Sequence, residues 1–342
     1  MIVRSRAPLR LGLAGGGTDV SPFSDQHGGF VMNVTIDKFA YATVSNARSD
    51  LAEFEAQDAG HADRMDPARV DLAPGPTQLM RGVYLRVCQQ FLGGKRPALR
   101  VRAHSDAPPG SGLGSSSTMV VTLVAAFNEY FGLALGEYEI AHLAYEIERK
   151  DLGLSGGKQD QYAAAFGGFN FMEFYAGDRV IVNPLRIKDW VWCELEASLV
   201  LYFTGVSRAS AAIIDEQSRN VREGRTQSLE AMHRLKLEAV QMKESLLRGD
   251  LARFAEVMQS GWEAKKKMAS SITNPMIDQI EALAFANGAR AAKVSGAGGG
   301  GFMMFVCDPS ERVRLVRALS GAGGTVYDTH FTPYGATSWK IG

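Results

Sequence analysis

Residues 108 to 118 read Pro-Pro-Gly-Ser-Gly-Leu-Gly-Ser-Ser-Ser-Thr, three glycines at alternate positions running into a cluster of hydroxyl side chains. Upstream, Leu99, Val101 and Ala103 alternate with Arg100, Arg102 and His104, the period-2 pattern of a strand with one wet face. Downstream, Val120, Val121, Val124, Phe127 and Phe131 recur at helical spacing. The segment is therefore a strand-to-helix connection. Gly110, Gly112 and Gly114 let the backbone approach an anion closely, and the amides of Ser115, Ser116 and Ser117 face it at the positive end of the helix. This is the form of a phosphate cradle. Serines also suit a plain helix cap after a Gly-Pro loop, but a cap does not ask for three spaced glycines. No Gly-Lys-Ser/Thr follows at the spacing of a Walker loop, which disfavours the P-loop NTPases.

Strand-like and helix-like segments alternate on both sides of this loop, as in a mixed α/β or α+β protein, and no internal repeat is visible. Residues 30 to 45 are rich in β-branched and aromatic types and read as strand. Helices are expected at about 137 to 150 and about 227 to 247, the latter with Leu229, Met232, Leu235, Met242 and Leu246 on one stripe. At 342 residues, two domains sharing a cleft are the default. The turn signal Ala176-Gly177-Asp178 sets the expected division, residues 1–180 and 181–342.

Composition narrows the class. Hydrophobic residues make up 46% and charged residues 22%, enough apolar material for a sizeable core. Lys plus Arg and Asp plus Glu are 37 each, so no global field draws the chain to nucleic acid or membrane. Any anion must be held by a local site. Cys88, Cys193 and Cys307 form no CxxC pair, which argues against a zinc cluster or a disulfide framework. The N-terminus lacks the apolar stretch of a secretory signal, and no charge-free run is long enough for a bilayer. A cytoplasmic location is expected.

Three further segments carry chemistry. Arg10-Leu-Gly-Leu-Ala-Gly-Gly-Gly17-Thr18-Asp19 ends a strand in flexible backbone with one hydroxyl and one carboxylate, suited to polyol recognition, although Asp19 alone could equally cap a turn. Glu146-Ile-Glu148-Arg-Lys-Asp151, a glycine turn and Lys158-Gln-Asp160-Gln supply carboxylates for a magnesium ligand and for a hydroxyl-proton acceptor. Gly296-Ala-Gly-Gly-Gly-Gly301 formally matches a dinucleotide fingerprint, but the strand-like Phe302-Met-Met-Phe-Val follows where that fingerprint needs a helix. It reads instead as a glycine turn between strands, and the nicotinamide-dependent dehydrogenase reading fails with it.

These segments, in this order, resemble the GHMP kinase superfamily. Pro108 to Ser117 looks like its central phosphate motif, and Lys293-Val-Ser-Gly-Ala-Gly-Gly-Gly-Gly-Phe302 like its C-terminal motif. Within it, Arg6 to Asp19 and Gly156 to Asn170 resemble the D-glycero-D-manno-heptose 7-phosphate kinases, which phosphorylate the anomeric hydroxyl to give the 1,7-bisphosphate for GDP-heptose and surface polysaccharide. The resemblance implies an α+β fold with an N-terminal domain like ribosomal protein S5 domain 2 and a ferredoxin-like C-terminal domain, with ATP and Mg2+ as cofactors. It implies Asp160 and Arg10 as catalytic residues and Pro109, Gly110, Ser111, Gly112, Leu113, Gly114, Ser115, Ser116 and Ser117 around ATP. Ser116 and Glu148 would hold the metal, with Asp151 or Glu146 as alternatives to Glu148. Gly17, Thr18, Asp19 and Asp160 would meet the sugar, and Lys158, Arg208 and Lys38 its distal phosphate. A homodimer is left open. Where galactokinases carry Gly-Glu-His-Thr-Asp, this chain carries Gly15-Gly-Gly-Thr-Asp19, so galactose is not the expected substrate. The competing readings are a kinase for another sugar, fucose-type or hexose, and a non-catalytic sugar sensor. A sensor would be expected to have lost Asp160, Glu148 and Ser116.

Overall fold

Two sheets organise the chain in this computed structural model, which describes residues 1–206 and 210–341. The larger has eight strands. Along its main path lie Thr337–Ile341, Ile2–Ala14, Gly29–Asn46, Leu99–Ser105, Ala52–Ala56 and His61–Met65, and Phe169–Phe174 and Val180–Pro184 continue from the long strand Gly29–Asn46. That strand exists because residues 30 to 45 are rich in β-branched and aromatic types, and it is long enough to serve two partners along one edge. Its first half pairs with Phe169–Phe174 and its second half with Leu99–Ser105. Pairings are antiparallel except that of Ala52–Ala56 with Leu99–Ser105.

One irregularity in this sheet bears on the site. The register between Ile2–Ala14 and its neighbour shifts between Pro8 and Arg10, where proline cannot donate to the ladder and a bulge re-aims the following side chain. The Arg10 amide donates instead to the carbonyl of Leu113, at 3.1 Å. The first strand is thus pinned to the glycine-serine loop.

Helices Gln78–Phe91, Ser115–Phe131, Glu137–Glu146 and Gln159–Phe166 contribute to one apolar core with this sheet. Ser115–Phe131 is buried on most sides, and residues such as Val120, Leu123 and Phe127 are fully enclosed. At about 1.5–3 kcal/mol for each large buried apolar side chain, this packing holds the helix rigid behind its N-terminal loop. The second sheet is antiparallel, in the order Thr325–Tyr327, Leu199–Phe203, Phe302–Cys307 and Ala289–Val294. Its last two strands are joined by residues 295 to 301, the glycine turn expected from the sequence. The helices Thr226–Arg248 and Leu251–Lys266 pack on each other.

The expected division at 180/181 cuts the strand Val180–Pro184 at its first residue, and Thr337–Ile341 returns to pair with Ile2–Arg6. Parts of the range 181–342 therefore complete the first sheet. A strand edge is satisfied by whichever remote segment reaches it, and local pattern does not record that choice. Among the described residues no helix is long and apolar enough to cross a membrane.

Candidate active site

A cavity of about 280 Å³ opens where the first strand, the glycine-serine loop, the N-terminus of Gln159–Phe166 and the glycine turn meet. Gly110, Gly112, Gly114, Ser115, Ser116 and Ser117 line it. Gly114, at φ +76°, starts the helix Ser115–Phe131 in a conformation that L residues avoid. Thr118 is the first residue to close a helical bond, donating to Gly114 at 2.9 Å. The amides of residues 115 to 117 therefore have no carbonyl behind them in the helix and face the cavity end, as an anion requires. Of the loop residues expected around a nucleotide, Leu113 and Ser111 are fully buried beneath it. Pro109 is exposed, and none of these three lines the cavity.

The glycine turn packs directly on this loop. The Phe302 amide donates to Ser111 at 2.9 Å, and the Ser295 hydroxyl to Gly112 at 2.9 Å. A Cβ at Gly296 would stand 2.8 Å from the Gly112 Cα, so only glycine allows the approach. Gly301 is likewise pressed on Ser111, so two members of the second glycine cluster serve this packing.

Asp160 lies in the first turn of Gln159–Phe166, its Oδ2 3.1 Å from where a Gly114 Cβ would be. Arg10 reaches it from the first strand, with Nε and Nη2 both on Oδ1 at 2.7 and 2.6 Å, while Nη1 donates to the Gly112 carbonyl at 2.7 Å. One guanidinium thus ties the carboxylate to the phosphate loop.

Glu148 is buried, in a π-helical turn, Ile147–Asp151, that follows Glu137–Glu146. Its Oε1 accepts from the Ser116 hydroxyl at 3.0 Å and its Oε2 from Gln161 at 2.6 Å. Glu146 and Asp151 turn the other way, to Arg86 at 3.1 and 2.7 Å, and do not line the cavity. Three carboxylates open as alternatives in the sequence are separated by the wider turn.

Asp19 is fully buried and both its oxygens are occupied. Oδ2 accepts from the amides of Lys158 and Gln159 at 2.9 and 3.1 Å, and Oδ1 from Gly17 N at 3.2 Å and Gln159 Nε2 at 3.0 Å. It ties the N-terminal loop to the start of the helix that carries Asp160. Thr18 is also enclosed, donating to the carbonyls of Gly15 and Phe30 at 2.7 and 2.9 Å. Gly17 lines the cavity.

A second cavity, about 300 Å³, shares Asp19, Val20, Arg149 and Ile214 with the first, and Lys158 and Arg222 line it. The Lys158 ammonium pairs with Asp178, which lines neither cavity, at 2.9 Å. Lys38 pairs with Asp37 at 3.2 Å and lines neither cavity. Arg208 lies outside the described residues.

Two cavity lysines escaped the sequence reading. Lys265 donates to the Gly296 carbonyl and Lys293 to the Leu13 carbonyl at 2.7 Å. Burial, with Arg10 nearby, pulls the Lys265 pKa down to about 8, and burial beside Lys265 pulls Lys293 down as well. Lys265 sits in a Lys-Lys-Lys run that reads as a solvated face, so no local signal marks it. Lys293 opens the quoted C-terminal motif, but nothing local says that its side chain reaches Leu13.

Residues 78–168 match the GHMP kinases N terminal domain and residues 242–325 the GHMP kinases C terminal profile. The chain is 45% identical, over 340 residues and 99% of both sequences, to a D-glycero-alpha-D-manno-heptose 7-phosphate kinase of Campylobacter jejuni subsp. jejuni serotype O:2. Its fold matches the crystal structure of a D-glycero-D-manno-heptose 1-phosphate kinase from Bacteriodes thetaiotaomicron, with TM-score 0.83 and 46% identity over 99% of both chains. It also matches Lactococcus lactis galactokinase, with TM-score 0.79 over 98% of this chain and 95% of that one, at 16% identity that speaks to fold alone. The strand-loop-helix cradle, the glycine turn packed on it and the agreement over the full length place this chain in the GHMP kinases, and it is a phosphotransferase.

Proposed function

We propose that the chain transfers the γ-phosphoryl group of ATP to the anomeric hydroxyl of D-glycero-D-manno-heptose 7-phosphate, giving the 1,7-bisphosphate used for surface polysaccharide. The observation that carries the chemistry is Asp160, held by Arg10 against the phosphate loop in a shared cavity. The substrate rests on the full-length similarity to the Campylobacter enzyme of that name.

Phosphoryl transfer asks a protein to align two oxygens and offset charge, with little covalent chemistry of its own. The loop amides receive the nucleotide phosphates. Arg10, fixed on Gly112, offsets charge on the moving group. Asp160 takes, or at least orients, the proton of the acceptor hydroxyl.

Ser116 and Glu148 suit magnesium. They form an all-oxygen pair facing the phosphate loop, and magnesium characteristically takes one or two carboxylates and fills its shell with substrate phosphates and water. No group of three His, Cys, Asp or Glu side chains gathers among the described residues, so the magnesium reading rests on Ser116 and Glu148 alone. Bound there, magnesium would neutralise charge on the phosphate oxygens. The distal phosphate of the sugar is assigned to the adjoining cavity lined by Lys158 and Arg222.

The test is ATP-Mg turnover with heptose 7-phosphate, heptose 1-phosphate, unphosphorylated heptose, mannose and fucose, the product read by 31P NMR. Heptose 7-phosphate should be consumed fastest and yield an anomeric phosphate. Preference for an unphosphorylated sugar would remove the heptose 7-phosphate assignment and leave the kinase standing. Preference for heptose 1-phosphate would move the acceptor to the other end of the sugar.

A further inference from the structure

Close contacts lead away from the phosphate loop along the cavity wall. Gly114 abuts Asp160, which Arg10 holds. Arg10 Nη1 and Gln159 Oε1 stand 4.0 and 3.8 Å from a Cβ built at Gly12. Gln159 Nε2 and Lys265 Nζ stand 3.8 and 3.9 Å from one at Gly16, and Gln217 Oε1 stands 3.5 Å from one at Gly17. Lys265 and Gln217 thus lie along the wall formed by Gly16 and Gly17, Lys265 also bonding Gly296 beside the loop, and both line the cavity.

Both carry donors that the described residues leave unused. Gln217, on the helix Ser210–Arg222, is only 6% exposed, and its Nε2 has no hydrogen-bond partner among the described residues. Lys265, on the helix Leu251–Lys266, is 4% exposed and spends one N–H on the Gly296 carbonyl, with no carboxylate paired to it among the described residues. A buried donor without an acceptor is costly, and a buried ammonium more so. Folds tolerate such groups at a cavity wall when a ligand completes them. What would complete these two is a group rich in acceptor oxygens, since an ammonium only donates, whereas a carboxamide both donates and accepts. Neighbouring hydroxyls match a carboxamide on both counts.

We propose that Gln217 and Lys265 form an acceptor-sugar clamp, the Gln217 carboxamide bridging two neighbouring hydroxyls and the Lys265 ammonium donating to an oxygen nearer Asp160. The clamp rests on the reading of this cavity as a sugar kinase site. Both residues come from the second half of the chain, whereas Arg10, Ser116, Glu148 and Asp160 come from the first. Sugar binding would thus tie the two halves together and fix which hydroxyl faces the phosphate loop. Ile214, on the helix of Gln217, lines both cavities, so a substrate gripped by the clamp can extend into the second.

The experiment is steady-state kinetics and thermal shift on the full chain, using whichever sugar in the panel above the wild type turns over fastest. Gln217→Ala should raise KM for the sugar roughly 10–100-fold, the effect of one or two lost hydrogen bonds. KM for ATP should stay within about twofold, and the sugar-induced rise in Tm should vanish while the ATP-induced rise persists. Lys265→Met should lower kcat/KM for the sugar more than Lys265→Arg does, because arginine keeps the charge and the donors. A sugar KM and sugar-induced Tm rise unchanged in Gln217→Ala would overturn the clamp, as would a parallel rise in KM for ATP. If Lys265→Met does not fold, Lys265→Arg and Gln217→Ala still decide. A wild type that prefers another sugar ends the heptose assignment and leaves the clamp testable with that sugar, whereas one that phosphorylates no sugar ends both.

Discussion

Both charged contacts between Arg10 and Asp160 fall on one carboxylate oxygen, Oδ1, which leaves Oδ2 facing Gly114 of the phosphate loop. The arginine fixes the direction of the carboxylate, and under the proposed function the free oxygen is the one that would meet the acceptor hydroxyl. Asp160→Asn should cut kcat by roughly 10²–10⁴-fold, the usual loss for a proton acceptor, with the fold retained but Tm lowered by the lost charge pair with buried Arg10. Arg10→Lys should also lose turnover, because an ammonium cannot make the two contacts to Oδ1 and the one to Gly112 in the same fixed fork. Single-turnover assays beside thermal melts separate these effects from misfolding.

Glu148 and Ser116 are tested by magnesium titration. Glu148→Gln should raise the magnesium concentration for half-maximal activity by roughly 10–100-fold, the range seen when a metal site loses part of its support. Asp151→Asn should leave that concentration unchanged, since Asp151 serves Arg86. Equal magnesium dependence in wild type and Glu148→Gln would remove Glu148 from the metal site.

Asp19 joins two segments 140 residues apart, accepting four N–H groups with no exposure to solvent. Asp19→Ala leaves those donors without acceptors, and the loss should be about 3 kcal/mol or more in urea unfolding. Turnover should fall as well, because the helix that presents Asp160 loses its anchor. A variant with wild-type stability would show that the anchor is dispensable.

Lys265 predicts a pH dependence in the ligand-free protein. Its folded pKa of about 8 lies below the ordinary lysine value of 10.5, so the folded state sheds this proton first. Between those values the unfolded chain binds more protons, and stability rises with pH through this group by about 3 kcal/mol. Cys88 works against it, since burial raises its thiol pKa from 9.0 to about 11 and its contribution falls over that range. The difference in unfolding free energy between wild type and Lys265→Met, followed from pH 7 to 10.5, reads the lysine together with its coupling to Lys293. A flat difference would contradict the prediction.

Gly112 stands at φ +87° against the Ser295 carbonyl. Gly112→Ala would strain the backbone and push the glycine turn off the phosphate loop, so KM for ATP should rise together with a loss of about 1–3 kcal/mol in stability. Isothermal titration with a non-hydrolysable ATP analogue reads the first effect directly.

The strands and helices that frame the site were legible because each depends on local pattern. The alternation at Leu99 to Ala103 became the strand Leu99–Ser105, and the stripe from Leu229 to Leu246 the helix Thr226–Arg248. The apolar run after the glycine cluster likewise became the strand Phe302–Cys307. The phosphate loop was legible for the same reason, since glycine spacing and helix polarity are properties of adjacent residues. Asp19, Lys265 and Gln217 were not legible in this way. Their roles depend on partners 31 or more residues distant in the chain, and a buried lysine in a Lys-Lys-Lys run looks like any solvated one.

By itself the sequence determined the strand, glycine-serine loop and helix, the glycine turn between two strands, and the carboxylates and hydroxyls proposed for phosphoryl transfer. Backbone sterics and hydrophobic period act over a few residues, so these features need no distant information. The tertiary structure alone decided which of the Glu146, Glu148 and Asp151 carboxylates faces the cavity, that Asp19 anchors a helix, and that Lys265 and Gln217 line the same cavity as Asp160. Those outcomes depend on which remote segments share a low-dielectric wall, where an unpaired donor or charge is costly and its position becomes informative.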